Sequence, residues 1–401
     1  MAKDAASKDA APPGDASKGN GDANTSDGSV LPGTRDPAYW PFAQTSPFNY
    51  PIGSNARYAP PTMALDPSGF WFAISDQSGP QVAVPEASSQ SGTLIRSNTD
   101  SPSNYSTNTF IFPIRSDIYN PPCCSGDADL TVVMPDHRVA FDSEGSKYAG
   151  GTVTNGATSA VVDLMGPGWG PERGLPRGYF PSAMYPMATG PSVAYAPDGF
   201  GPRASSIALT AGDLRPGELK NGIRHALSGS MAYNGAAPGV AGGQCWVWPA
   251  TSADGNVTSA GCPSNGDNIY MGSLLAIPPT VGLNRLGLKT PEGLTLALAL
   301  QHYGLYIVDG GPQMGPHLLA DQYAQGDIPG DSLYTGGSSR TDFSADLLVL
   351  VKQLQVVTNS FEPTAGGPPR MGIKIDGGDG ALPVPLAPPF DAQWGGGNGR
   401  P

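Results

Sequence analysis

The sequence predicts a mainly β fold: an antiparallel sandwich of the jelly-roll kind, with one buried helix, a second amphipathic helix and long Gly/Pro-rich loops. Three observations predict it. Short apolar runs recur along the chain, separated by connectors of Gly, Pro, Asn and Ser. Several of these runs alternate residue by residue, the period of a strand with one buried face. Only two longer stretches carry helical spacing, and both lie in the second half of the chain.

Composition bounds the classes. Glycine (55) and proline (43) make up about a quarter of the 401 residues, close to a disordered composition. They concentrate at the ends and in the loops, so the middle can still fold. With 15 Tyr, 12 Phe and 6 Trp, the chain is too aromatic to be disordered throughout. The formal net charge is −12 and no basic cluster exists, which argues against nucleic acid and against an anionic membrane surface. No apolar run approaches the roughly 20 residues that span a bilayer.

Residues 1–35 read as an acidic low-complexity tail. They resemble a mature stalk whose signal peptide is absent from this sequence; an ordinary cytosolic tail is the other reading. From Asp36 the chain changes to an extended segment pinned by Trp40, Phe42, Phe48 and Tyr50. Strands are expected at 69–75, 81–85, 109–114, 130–135 and 159–164. Phe70, Phe72 and Ile74 set the alternation in the first, and Phe110, Phe112 and Ile114 in the third.

After the 130–135 run, Asp136, His137, Asp142 and Glu144 cluster at a strand end. Such a loop suits acid/base work or a structural Ca2+, and it also suits a plain polar turn. No other cofactor is expected. The stretch 165–203 reads as a long loop insert. Its Trp169, Tyr179, Phe180 and Tyr185 form either a binding wall or the loop's own small core.

The central stretch begins with a helical turn over 216–221, ended by Gly222. Residues 223–233 then read as a strand that puts Ile223, His225 and Leu227 on one face and Arg224 on the other. His225 is either a hydrogen-bonded core histidine or a group on a concave floor, positioned for chemistry. Trp246 and Trp248, two residues apart, share one face of a short strand. A helix follows over 291–303, with Thr290 at the N-cap, Pro291 at the first position and Gly304 just past the end. Its leucines at 294, 296, 298 and 300 make it apolar nearly all round, so burial is expected. The next strand ends in Asp309 before two glycines, which makes Asp309 either a turn cap or a candidate acid or nucleophile. Leu347, Leu350, Val351 and Leu354 give the second helix its spacing. Residues 361–401 read as a Gly/Pro-rich C-terminal extension.

Four cysteines occur at 123, 124, 245 and 262. None has zinc spacing. A disulfide between Cys245 and Cys262 would close a short polar loop and favours an exported chain. Cys123 and Cys124 would pair with each other, or one of them elsewhere.

The central stretch carries a pattern that looks like that of a known family: Ala204 to Leu214, then Glu218, Leu219, Gly222, Ile223 and His225 to Leu227, then Trp248 to Ala250. Leu294 to Asp309 and Ser46 to Ile52 match more loosely. In these the chain resembles a family of secreted bacterial proteins of the actinomycete type. The resemblance implies one domain over about 36–360, a β-sandwich, and a polysaccharide-rich setting outside the cell. The 165–203 insert and the C-terminal extension depart from the family pattern.

Two functions follow as expectations. The first is a secreted carbohydrate-active hydrolase or lyase. Its catalytic candidates are His225, Asp309, Asp136, His137 and Glu144. Its substrate-binding candidates are Trp169, Tyr179, Trp246, Trp248, Tyr303 and Arg224. The second is a non-catalytic glycan-binding, adhesive or structural surface protein, which needs only a stacking platform. In both the partner is a polysaccharide or cell-surface glycan.

Overall fold

The computed structural model describes residues 33–53, 56–67, 70–73, 81–83, 90–96, 109–114, 130–135, 137–143, 146–149, 152–155, 159–166, 212, 214–231, 247–249, 268–310, 316–329, 342–361, 370–371 and 387–394. These residues are mainly β. The central sheet has seven strands: β1 (Tyr58–Ala59), β2 (Phe72–Ala73), β3 (Leu227–Met231), β4 (Leu274–Ala276), β5 (Leu305–Gly310), β6 (His317–Leu319) and β7 (Gln355–Val357). Their order across the sheet is β1-β7-β4-β5-β3-β6-β2.

The pairing is mixed, which corrects the expectation of a wholly antiparallel sheet. β3 lies parallel to β5, and β6 lies parallel to β2. The other central pairs are antiparallel. The parallel pair arises because the chain leaves β3, makes β4 and a helix, and returns as β5. A connection that carries a helix lets two strands run the same way.

One face of the sheet carries the helices. Helix α1 is a single turn over Glu218–Asn221. Helix α2 covers Pro291–His302 and α3 covers Asp342–Val351. Leu227, Met231, Leu275, Leu305, Ile307, Leu318 and Val356 from the strands share one buried cluster with Leu296, Ala297, Leu300, Phe343, Leu347 and Leu350 from the helices. Removing one such leucine to alanine costs about 2–5 kcal/mol.

The start of α2 is a built device. Thr290 caps it, its hydroxyl accepting from the Gly293 N–H at 3.0 Å. That hydroxyl donates in turn to Asp346 of α3 at 2.6 Å. Asp346 is buried and also accepts from the Lys289 and Thr290 N–H groups, at 2.8 and 2.9 Å. A carboxylate thus sits at the positive end of the helix dipole. A side chain at position 293 would collide with it, so glycine is required there. At the other end Gly304 adopts a left-handed φ of 81°. The expectation that α2 is buried all round needs correction: Leu294 and Leu298 are 44 % and 40 % exposed. The sheet and α3 cover only its inner side.

The segment 35–52 meets the opposite face. Phe48 sits edge-on to Tyr306 of β5, with ring centroids 5.3 Å apart. The Phe48 carbonyl accepts from the Ala226 N–H at 2.7 Å. Arg35 holds the start of this segment. It is 5 % exposed and donates to the carbonyls of Trp40, Pro41, Phe42 and Pro388. Its guanidinium carbon lies 3.9 Å from the Phe390 ring centroid. Residues 387–394, in the stretch expected to be an extension, therefore join the fold through Arg35.

A second sheet orders the strands 159–163, 139–143, 130–133 and 81–83, and a third orders 109–114, 90–96, 152–155 and 146–149. Three expected strands are thus present at 109–114, 130–133 and 159–163. The expected strands at 69–75 and 81–85 are described as the shorter pieces Phe72–Ala73 and Gln81–Ala83.

Candidate functional site: a row at the carboxyl end of the central sheet

The sequence-chosen histidines are built into the framework. His225 precedes β3 rather than lying within it, because the Ala226 N–H bonds to Phe48 and not to a sheet neighbour. This corrects the expected strand over 223–233. His225 is 1 % exposed. Its Nε2 lies 3.0 and 3.1 Å from the two carboxylate oxygens of Glu218, and its Nδ1 lies 2.9 Å from the Ala226 carbonyl. Each ring nitrogen thus has an oxygen partner within the framework. Neither is left open to a substrate or a metal ion. Burial raises the Glu218 carboxyl, but His225 and Arg215 outweigh it and hold the group below its ordinary value. The Arg215 N–H adds a bond to Glu218 at 2.8 Å.

His137 sits in the turn between strands 130–133 and 139–143, with a left-handed φ of 53°. Its Nδ1 contacts the Asp36 carboxylate at 2.8 and 2.9 Å. This pair fastens the hairpin to the start of the 35–52 segment. Asp136 and Glu144 lie outside the described residues, and with them the Ca2+ reading of that loop. Trp169, Tyr179, Trp246, Cys123, Cys124, Cys245 and Cys262 lie outside them too, as do residues 1–32 and most of the 165–203 insert.

The described binding candidates, Tyr303, Trp248 and Arg224, do not form a row in the sheet. Tyr303 is buried at the end of α2, and burial, opposed by Arg224, raises its phenol well above the ordinary value. Trp248 is buried in a turn, where its neighbour Val247 donates to the Met271 carbonyl at 2.9 Å, so the expected short strand is not formed at Trp248. Arg224 is exposed, its guanidinium carbon 5.0 Å from the Trp40 ring centroid.

A different set does converge. Ser230 of β3 pairs with Asp309 of β5 on one side and with His317 of β6 on the other. Three chemistry-bearing residues therefore stand abreast on three adjacent strands, where β3 and β5 both run out. The register is made by an irregularity: Gly229 pairs with Ile307, and Ser230 then pairs with Asp309, so Val308 is an extra residue. Without that bulge Asp309 would lie one step beyond Ser230. Bulges of this kind re-aim side chains and concentrate near active sites. Gly229 is needed as well, since a side chain there would meet the His317 carbonyl at 2.9 Å and the Leu305 side chain at 2.9 Å.

His317 is the unusual member. It is 3 % exposed, and neither ring nitrogen has a hydrogen-bond partner among the described residues. Its ring lies against Trp71, centroids 4.1 Å apart. Burial lowers its pKa to about 4, so the ring is neutral at pH 7 and keeps one N–H and one lone pair. Ser230 is 8 % exposed. Directly opposed residues on antiparallel strands share a face, their Cβ atoms about 4.5–5.5 Å apart. An imidazole lone pair beside a hydroxyl can take the hydroxyl proton as the oxygen attacks. The sequence reasoning selected Asp309 but neither Ser230 nor His317. The signal was there: His317 opens an apolar run just behind a Gly/Pro loop, as Asp309 closes one just before it.

Among the described residues, no group of three or more His, Cys, Asp or Glu side chains could hold a metal ion. No described helix is long and apolar enough to cross a membrane. Comparison with protein-family models, with curated proteins and with solved structures finds no match in any of the three.

Proposed function

We propose that the protein is a secreted carbohydrate-active hydrolase whose chemistry lies in the Asp309–Ser230–His317 row. The carrying observation is His317, buried and neutral, with both nitrogens unpartnered beside a serine. A glycosidic bond needs two carboxylates across the cleft. Among the described residues the row contains one carboxylate residue, so it suits an ester borne by the glycan better than the glycosidic bond itself. His317 takes the Ser230 proton while the serine oxygen attacks the acyl carbon. The sugar alkoxide leaves with the proton from the imidazolium. Water then attacks the acyl-serine with His317 again as base, releasing the acid and restoring the serine. Asp309 stands on the far side of Ser230 in the register, two strands from His317, and the acyl transfer runs through Ser230 and His317 alone. The sandwich expected from the sequence belongs to the same proposal. Segment 35–52 meets the central sheet through Phe48 and the second sheet through the Phe42 N–H, which donates to the Leu164 carbonyl at 2.6 Å.

The test is acid release from O-acetylated polysaccharides and from an aryl acetate. Ser230→Ala and His317→Asn each lose about 10²–10⁴-fold in rate with an unchanged fold. Wild-type turnover by both folded variants would remove the row from the mechanism. A second reading, a non-catalytic glycan-binding or adhesive surface protein, is favoured by the exposed Tyr39 beside the Arg224–Trp40 stack. It predicts binding without turnover.

A further inference from the structure

Residues 39–40 and 224 form a surface at the amino end of β3, the end away from Ser230. Tyr39 is 58 % exposed, one of the few large apolar side chains turned to solvent among the described residues. Its neighbour Trp40 is fixed in place: the indole N–H donates to Asn49 at 2.8 Å, and the Asn49 amide donates to the carbonyls of Pro41, Phe42 and Ala43 at 2.7, 3.0 and 3.1 Å. Trp40 in turn steadies Arg224 through a cation–π contact at 5.0 Å. Arg224 is exposed and makes no ion pair among the described residues.

Two more guanidinium groups serve the same turn. Arg215 donates to the Tyr39 carbonyl, and the buried Arg35 lies 5.5 Å from the Trp40 ring. The nearby acids have partners of their own: Asp36 has His137, Glu218 has His225, and Asp391 accepts from the Thr34 hydroxyl and the Gln393 N–H. Three guanidinium groups, those of Arg35, Arg215 and Arg224, therefore meet at this turn in a chain of net charge −12. Burial and then Arg215 lower the Arg35 pKa to about 9.

We infer that the Tyr39–Arg224 surface binds an anionic saccharide, with the Tyr39 ring stacking on a sugar face and the Arg224 guanidinium gripping its carboxylate or sulfate. This deepens the glycan-binding reading and stands apart from the row. A planar guanidinium matches an oxyanion with two parallel hydrogen bonds. The Tyr39 ring, edge-on to His137 with centroids 6.4 Å apart, and the Arg224 head group over Trp40 each have a contact already made and lose less freedom on binding.

Affinity electrophoresis of the full chain tests it, with gels containing polygalacturonate, dextran sulfate or neutral dextran. Wild type is retarded by one or both acidic polymers and not by neutral dextran, and retardation weakens with added salt. Comparing the two acidic gels tells carboxylate from sulfate. Arg224→Gln lowers the acidic affinity about tenfold, while Ser230→Ala leaves it unchanged. Equal retardation of Arg224→Gln and wild type overturns the inference, as does equal retardation by neutral dextran or equal affinity for a DNA oligonucleotide. If Tyr39→Ala loses retention on every gel and Arg224→Gln loses none, the surface binds glycan without selecting for acid, so this inference falls and the binding reading stands. If wild type is retained by none of the three polymers, both fall.

Discussion

His225 and His317 are both buried, and their surroundings are opposite. His225 has Glu218 on one nitrogen and the Ala226 carbonyl on the other. His317 has Trp71 against its ring and no hydrogen-bond partner among the described residues at either nitrogen. The first is saturated and holds α1 to the start of β3. The second keeps its lone pair and N–H at the far end of the same strand. Burial alone therefore says little about whether a histidine is available for chemistry. The hydrogen-bond inventory decides, because an unpartnered buried polar group costs stability and persists when something else requires it.

The largest effect expected from this contrast is on rate, the 10²–10⁴-fold loss in Ser230→Ala and His317→Asn. Next comes stability. His225→Ala strands the largely buried Glu218 carboxylate and costs about 3 kcal/mol in urea unfolding. His317→Leu removes two unsatisfied nitrogens and is neutral or stabilising by about 1 kcal/mol. A large loss from His317→Leu together with a negligible one from His225→Ala would reverse the comparison.

Acid separates the two as well. The folded pKa of His317, about 4, lies below its ordinary value of 6.5, so the unfolded chain binds the extra proton first. Stability then falls as pH drops from about 6.5 to about 4, by up to about 3 kcal/mol from this group. His302, lowered by burial, adds to the slope in the same direction. Glu218 behaves as a depressed carboxylate: its contribution is complete above 4.5 and is lost as pH falls through its lower folded value. Unfolding free energies measured from pH 7 to pH 3 should show two stages, and His317→Leu should flatten the upper one. An unchanged upper slope in that variant would show that His317 is not held neutral.

The smaller effects lie in α2. Thr290→Ala removes the cap and costs about 1 kcal/mol. Leu298→Ala, on the exposed side, changes thermal stability within about 0.5 kcal/mol. A loss several-fold larger would mean that something covers that face.

What was legible in the sequence was mostly local. Thr290, Pro291 and Gly304 mark the ends of α2 because capping is decided within a few residues. The runs at 109–114, 130–133 and 159–163 show their alternation directly. The apolar stretch 294–300 misled on one point, since leucines all round a helix do not say how many sides are covered. Long-range pairing was not legible. Asp346 reaches Lys289 across 57 positions, and Arg35 reaches Pro388 across 353. The parallel pairing of β3 with β5 and the extra residue at Val308 are properties of register, which no short window of sequence carries. Asp309 was therefore selected alone, and its neighbours Ser230 and His317 came into view only across the sheet. Glu218 and His225, seven residues apart, were both visible, but their contact depends on the left-handed turn at Gly222 (φ 103°).

The most direct measurement is covalent trapping of the serine. Wild-type protein incubated with a fluorophosphonate and digested for mass spectrometry should carry the adduct on the peptide containing Ser230, and His317→Asn should carry almost none. Hydrolysis of acylated substrate without an adduct at Ser230, or equal labelling in the His317→Asn variant, would contradict the account.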